Sequence, residues 1–207
     1  MFSSQTAAGG SYNPPVEQAL AIVVSYLLGS VNFGIVVASS QGVDIRTVGS
    51  GNTGTSNILR TLGKRSAALV LVGDGLKGAL AAAIGAVWIG GDFGWVTLLA
   101  AVVGHSIPIW HRFRGGKSVA TAIGGVAVLA PWVGAVLAIV WIATLVVWKT
   151  ASVGSLIVMV ALVPLVVVSG GSGAAIAWSA AIAVFVIARH ADNITRLLSS
   201  SEQTVVE

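Results

Sequence analysis

The sequence predicts an all-α integral membrane protein: a compact bundle of seven transmembrane helices with the N-terminus outside the cell and the C-terminus in the cytoplasm. The chain is 56% hydrophobic and only 9% charged, with a mean hydropathy of +0.93, whereas soluble domains carry about 25% charged residues. Seven apolar stretches, residues 16–39, 66–89, 93–110, 119–130, 132–148, 153–169 and 173–188, approach the ~20 residues a helix needs to cross a bilayer. On that arrangement Arg46, Arg60, Lys64, Arg65, Arg112, Arg114, Lys117, Lys149, Arg189 and Arg196 all fall on one side. Residues 90–92, Pro131 and residues 169–172, on the other side, include no Lys or Arg. Basic loops mark the cytoplasmic face, and this asymmetry sets the orientation.

Taken in order, residues 1–15 are rich in Ser, Gly, Asn and Pro and have no Lys or Arg. They lack the basic region of a cleavable signal and read as a flexible tail. Residues 16–198 form a single transmembrane domain, followed by a C-terminal tail at 199–207. The fourth stretch is short for a span, so it is tilted, re-entrant or joined to its neighbour across Pro131, and a five-span alternative follows. Abundant Gly and Ala within the spans allow close helix packing. No inverted repeat of the transporter kind is visible. The absence of cysteine excludes disulfides, thiol catalysis and Cys-based metal sites. The net charge of +4 comes from basic residues scattered between spans, which report topology and not a nucleic-acid partner.

Polar chemistry is confined to three short stretches. The first, Gly49 to Asn57 with Arg60, contains G-x-G-x-x-G as Gly49, Gly51 and Gly54. A dinucleotide fold would need a preceding buried strand, and Walker A would need Lys where Thr55 stands. What remains is a glycine loop whose backbone N–H groups converge on an anion, with donors from Ser50, Asn52, Thr53, Thr55, Ser56 and Asn57 and a planar cationic fork from Arg60. In the second, Gly115 and Gly116 relax the backbone beside Lys117, whose compact ammonium suits a phosphoryl oxygen. In the third, His190 and Asn193 share a helical face and each can donate toward an oxyanion. Arg189, Asp192 and Arg196 form a second stripe, read for Arg189 and Asp192 as a solvated ion-paired face. Asp74 and Lys77, three residues apart inside a span, read as an ion pair. His105 reads as a packed residue near a span end, and the three histidines have no metal-ligand spacing, so no metal or other cofactor is expected.

Together these residues resemble the bacterial acyl-phosphate:glycerol-3-phosphate acyltransferase family (PlsY). The resemblance is carried by Gly29-Ser30-Val31-Asn32-Phe33-Gly34, the Val48 to Gly54 loop with Asn57 and Arg60, Gly73-Asp74 with Lys77-Gly78, Gly104-His105 with Pro108, Gly115-Gly116-Lys117 with Val119-Ala120-Thr121, and His190 with Asn193-Ile194, Arg196-Leu197 and Glu202. It implies a seven-helix membrane enzyme that moves a fatty acyl group from acyl phosphate to the 1-hydroxyl of glycerol 3-phosphate, giving lysophosphatidic acid and phosphate. It further implies phosphate binding by Ser50, Gly51, Asn52, Thr53, Gly54, Thr55, Ser56, Asn57, Arg60, Gly115, Gly116 and Arg196, and catalytic positions at Lys117, His190, Asn193 and a serine between the fifth and sixth spans. Ser152 and Ser155 compete for that last role, and Ser155 is favoured by spacing. Thr55-Ser56, Ser118 and Ser200 depart from the usual pattern; the first keeps its hydroxyls, while the other two alter local backbone geometry.

Acyl phosphate is an activated mixed anhydride, so a protein needs to position and neutralise it more than attack it. No G-x-S-x-G is present, and direct attack by the alcohol, with phosphate accepting its proton and His190 orienting, is the expected mechanism. The expected partners are acyl phosphate, glycerol 3-phosphate and membrane lipid, with a monomer the simplest state and the bacterial inner membrane the location. The alternative is a membrane transporter of phosphate or a sugar phosphate, which would show a polar path at mid-bilayer. A membrane assembly protein with topological basic loops is the remaining class. The predicted orientation is checked by single cysteines at positions 4, 91, 172 and 201 of this cysteine-free chain. In intact cells an impermeant reagent labels the first three, and labelling of position 201 from outside would overturn the orientation.

Overall fold

The computed structural model describes residues 14–205; of the expected N-terminal tail, residues 1–13 lie outside the described residues. Among the described residues every regular element is helical. Helix α1 spans Pro14–Ser30 and α2 Phe33–Ser39. They break at Asn32, whose extended backbone lets its side-chain oxygen cap α2 by accepting from Ile35 N–H at 3.2 Å. Helix α3, Thr55–Ile84, continues into a wider turn at Gly85–Ile89, and Gly63 kinks it near its start with φ 81°. Helix α4 spans Phe93–Ser106 and is followed by a tight turn at Ile109–His111. Helices α5 (Val119–Leu129) and α6 (Pro131–Trp148) part at Ala130, where Pro131 starts the new helix without needing an N–H acceptor. Helices α7 (Ala151–Val168), α8 (Gly173–Ala188) and α9 (Ala191–Leu198) complete the order.

Each of the seven predicted apolar stretches is mostly helical, the first being broken at Val31–Asn32 and the third at Ile107–Pro108. Five segments, Pro15–Ser39, Thr55–Ile89, Phe93–His111, Pro131–Trp148 and Ala151–Val168, are long and apolar enough to cross a membrane, and α8 with α9, bent by 57°, supplies a sixth. Helix α5 has 11 residues, which at 1.5 Å per residue gives about 17 Å against a hydrocarbon core of about 30 Å. It lies against α3, α4 and α6, so neighbouring helices cover part of its surface.

The core is aliphatic: Leu98, Val102, Val126, Val133, Leu137, Leu162, Ile182 and Val186 are fully buried. The outward surface is equally apolar, with Leu69, Val146, Val147, Val160, Val168 and Val184 more than half exposed. A bilayer solvates such a surface, so burial alone cannot drive these helices together, and close contact between small residues must contribute. The α3–α5 seam shows it: a Cβ built on Gly78 would stand 1.9 Å from Thr121 O, and one on Gly124 2.1 Å from Gly75 O. Gly75 itself is open, its nearest neighbour being Ala120 O at 3.8 Å. Gly78→Ala therefore destabilises by about 1–3 kcal/mol through overpacking, while Gly75→Ala stays within about 1 kcal/mol of the parent. Thermal unfolding of the two variants in one detergent checks the contrast.

Candidate active site

The three polar stretches converge on one cavity of about 770 Å³ at the α3 N-terminus end of the bundle. Its walls include Ser50, Gly51, Asn52, Gly54, Thr55, Ser56, Asn57 and Arg60 from the first stretch, Gly115 and Lys117 from the second, and His190, Asn193 and Arg196 from the third. Away from these groups the cavity becomes apolar, between Leu71, Leu76 and Ala79 of α3, Ile123 and Ala127 of α5, and Ala138 and Ile142 of α6. A cavity with a cationic, donor-rich end and an aliphatic arm suits an amphiphile whose head is anionic.

The glycine loop is held from within. Gly49 and Gly51 have φ of 58° and 68°, a region that favours glycine. Asn57 accepts from Ser50 N–H at 3.0 Å and donates to Ile45 O and Val48 O at 3.3 and 3.0 Å. Asn52 Oδ1 accepts from Gly54 N–H at 2.8 Å. The two asparagines thus shape the loop, and Gly54, Thr55 and Ser56 bring the start of the long helix α3 to the cavity, a geometry that favours anions. Arg60 bonds Ser50 Oγ and Thr204 O, both at 3.3 Å, and its Nε has no acceptor among the described residues.

On the opposite wall Lys117 Nζ donates to Asn193 Oδ1. Asn193 Nδ2 donates to Glu202 Oε1 at 2.5 Å, Arg196 Nε to Glu202 Oε2 at 2.7 Å, and Ser152 Oγ to Glu202 Oε1 at 2.9 Å. Burial raises the Glu202 carboxyl, but the hydrogen bonds from Asn193, Arg196 and Ser152 outweigh it and hold the group below the usual carboxylate range. Burial, and then the nearby Arg196 charge, lowers the Lys117 ammonium to about 8, against the opposing pull of Glu202 and Asp192. Ser155, one turn deeper on α7, accepts from Trp141 Nε1 at 3.2 Å and donates to Ala151 O at 2.8 Å. Ser152 and Ser155 both line the cavity.

Several expected roles are corrected by this geometry. Thr53 is absent from the wall; it is buried and accepts from Asn32 Nδ2 at 2.8 Å, tying the loop to α2. Gly116 is also behind the wall, because the ring of His105 occupies the space its Cβ would need, with Nε2 at 2.2 Å. Among the described residues Arg189 and Asp192 form no ion pair; Arg196 pairs with Glu202 instead. His190 was expected to donate into the site, but its Nδ1 lies 2.8 Å from Val186 O. A carbonyl only accepts, so Nδ1 carries the hydrogen and Nε2 of the neutral ring presents a lone pair.

The sequence reading also missed the C-terminal segment as part of the site. Residues 199–205 fold back over the cavity: Val205 N–H donates to Lys149 O at 2.7 Å, its side chain is buried, and Glu202, Gln203 and Val205 line the wall. A signal was available, since three cations converging on one cavity call for an anion and Glu202 is the acid nearest in sequence to Arg196 after Asp192. Among the described residues no group of His, Asp or Glu is arranged to hold a metal ion.

The family model described as glycerol-3-phosphate acyltransferase matches residues 19–200. A glycerol-3-phosphate acyltransferase of Sinorhizobium fredii (strain NBRC 101917 / NGR234) is 40% identical over 189 residues, covering 91% of this chain and 92% of the relative. One of Roseobacter denitrificans (strain ATCC 33942 / OCh 114) is 40% identical over 190 residues, covering 90% and 94%. Crystal structures of PlsY (YgiH), an integral membrane glycerol 3-phosphate acyltransferase, superpose with TM-scores of 0.86 in the glycerol 3-phosphate form and 0.84 in the lysophosphatidic acid form. Each is 36% identical and covers 90% of this chain and 94% of the other.

With its value depressed to about 8, Lys117 is charged below that pH and neutral above it. Affinity for a phosphate monoester therefore declines as pH rises through about 8, and Lys117→Arg, cationic throughout, flattens that limb. Calorimetric titration of parent and variant across the alkaline range checks this; an unchanged limb in the variant would assign it to another group.

Proposed function

The chain belongs to the glycerol-3-phosphate acyltransferase family, and from that premise we propose that it transfers a fatty acyl group from acyl phosphate to the 1-hydroxyl of sn-glycerol 3-phosphate. The products are lysophosphatidic acid and inorganic phosphate. The observation that carries this reading is the continuity of one cavity from a cationic end to an aliphatic arm. A phosphate carrier has no use for the arm, whereas a fatty acyl phosphate needs both ends at once.

In this reading the acyl chain lies along Leu71, Leu76, Ile123, Ala138 and Ile142, and the anionic groups lie between the glycine loop, Arg60, Lys117 and Arg196. The His190 Nε2 lone pair accepts a hydrogen bond from the neighbouring 2-hydroxyl of glycerol 3-phosphate and so aims the 1-hydroxyl oxygen at the acyl carbon while leaving its own hydrogen free for the phosphate. The alcohol oxygen forms the new ester bond, the acyl carbon to phosphate oxygen bond breaks, and the hydroxyl proton leaves on the departing phosphate. Cations around the phosphoryl group stabilise the charge that collects there as that bond breaks. Ser152 or Ser155 supplies a hydroxyl beside the same carbon. The site faces the cytoplasm of a bacterial inner membrane, where glycerol 3-phosphate is available.

Purified protein given acyl phosphate and glycerol 3-phosphate should form lysophosphatidic acid and release phosphate in equal amounts. Robust transfer from acyl-CoA with none from acyl phosphate would sink the donor assignment. Arg60→Ala and Lys117→Ala each lower kcat/KM for glycerol 3-phosphate by about ten- to a hundredfold, the loss expected for a charged contact of about 1.5–3 kcal/mol. Lys64→Ala, an exposed charge outside the cavity wall, leaves it unchanged.

A further inference from the structure

A second imidazole belongs to this cavity. His105, on α4, is 3% exposed yet forms part of the cavity wall. Its Nδ1 lies 2.7 Å from Lys77 Nζ, and the same ammonium stands 2.6 Å from Val31 O and 2.8 Å from Asp74 Oδ1. An ammonium has three N–H bonds and no lone pair. Here it donates to a carbonyl and faces an imidazole nitrogen, and it is ion-paired with Asp74 Oδ1, which has no hydrogen-bond partner of its own among the described residues. Nδ1 must then offer its lone pair. The competing arrangement, Nδ1–H directed at Asp74 Oδ1 at 3.4 Å, would leave two N–H donors facing each other at 2.7 Å. The neutral ring therefore carries its hydrogen on Nε2.

The position of Nε2 gives that hydrogen a use. Nε2 is the ring atom nearest to Gly116, 2.2 Å from where a Cβ would stand, and Gly116 N–H donates to His105 O at 3.1 Å, fixing the turn on the ring. Among the described residues no acceptor is hydrogen-bonded to Nε2. Nε2 is not one of the fully enclosed polar atoms left without a partner, and at a cavity wall a ligand oxygen can meet such a donor. The adjoining turn ends in Lys117, so the oxygen next to it is an anionic one.

We propose that His105 is a further substrate-binding residue, whose Nε2–H, oriented by the Asp74–Lys77 pair, donates to a phosphoryl oxygen of the bound substrate. Asp74 and Lys77 are positioning residues in this arrangement. Both act through the ring, Lys77 from behind the wall and Asp74 as a neighbouring wall residue. The proposal relies on the acyl-transfer reading only for which phosphoryl group is bound.

The test uses full-length protein in detergent micelles with 15N-labelled histidine, the three histidine signals being assigned with His111→Gln and the His105 variants. The expected state of His105 is protonated at Nε2 and bare at Nδ1. Titration with inorganic phosphate, and separately with glycerol 3-phosphate, should shift the Nε2 signal; the titrant that does so identifies the phosphoryl group. An Nδ1-protonated ring, or no shift with either titrant, would overturn the proposal. Two variants add a kinetic arm. His105→Asn keeps an oxygen where Nδ1 accepts from Lys77 but has no donor toward the turn; His105→Gln can place an amide N–H near Nε2. The expected result is a roughly ten- to hundredfold lower kcat/KM in His105→Asn, the range for one hydrogen bond to a charged group, and several-fold recovery in His105→Gln. A purely structural role predicts the reverse order, and that order would reject the assignment. Should both variants fail to fold, the wild-type titration decides. A parent protein that shifts with glycerol 3-phosphate but releases no phosphate from acyl phosphate would support His105 and remove only the donor assignment.

Discussion

The Lys77 ammonium is the point on which the rest of the bundle depends. A charge at this depth costs several kcal/mol unless its donors are met, and Lys77, 2% exposed, is met by three different parts of the chain. Val31 lies at the break between α1 and α2, Asp74 is one turn away on α3, and His105 is on α4. One side chain thereby fixes the register of three helices. Hydrophobic burial could not do this, because the membrane solvates apolar faces as well as the core does. Removing a charged partner leaves the other uncompensated, a loss of about 3–5 kcal/mol. That directional requirement singles out one arrangement among helices whose surfaces are nearly all Val, Leu, Ile, Ala and Gly.

From this pin the organisation of the anion site follows. His105 sets the Gly115-Gly116 turn, which delivers Lys117; Ser118, in a left-handed conformation, bonds back to Val102 O at 2.7 Å. Lys117 meets Asn193, and Asn193 meets Glu202. The cations facing the cavity are therefore assembled by neutral or anionic partners that keep mutual repulsion in check. Glu202 is central on that side, because its carboxylate gathers Asn193, Arg196 and Ser152 from α9 and α7. On the proposed reaction the same carboxylate occupies part of the field that an incoming phosphoryl group must share.

The sequence made the fold class and the meeting of the three polar stretches legible, for a physical reason. Hydropathy and basic asymmetry are summed over many residues, and polar groups at one end of adjacent spans have few places to go. What it did not show depends on single contacts. The length of α5 was visible, but not that α3, α4 and α6 would surround it. Thr53 and Gly116 carry the right chemistry for phosphate and are used for packing instead, a distinction decided by Asn32 and by the His105 ring. The segment 199–205 reads as a polar tail by composition; it is ordered by Val205 reaching the core and by Glu202 answering the cations. For His190 the residue was legible and its polarity was not, since Val186 O decides which nitrogen holds the hydrogen.

That last point generalises. Both buried imidazoles at the cavity are neutral rings whose inner nitrogen is committed to a protein group, and the two commitments are opposite. Val186 O accepts a hydrogen bond from His190 Nδ1 and leaves Nε2 an acceptor; in the proposed arrangement Lys77 donates one to His105 Nδ1 and leaves Nε2 a donor. The proposed alcoholysis of an acyl phosphate presents a matching pair of needs: hydroxyls seeking an acceptor and a phosphoryl group seeking donors. A protein that used ionised acid and base groups here would have to hold further charges next to lipid. Fixing two tautomers with a backbone carbonyl and a buried ammonium supplies both polarities without adding net charge at the reacting atoms. The membrane environment thus favours chemistry run by oriented neutral donors and acceptors, with formal charge reserved for the substrate phosphates and the few cations that face them.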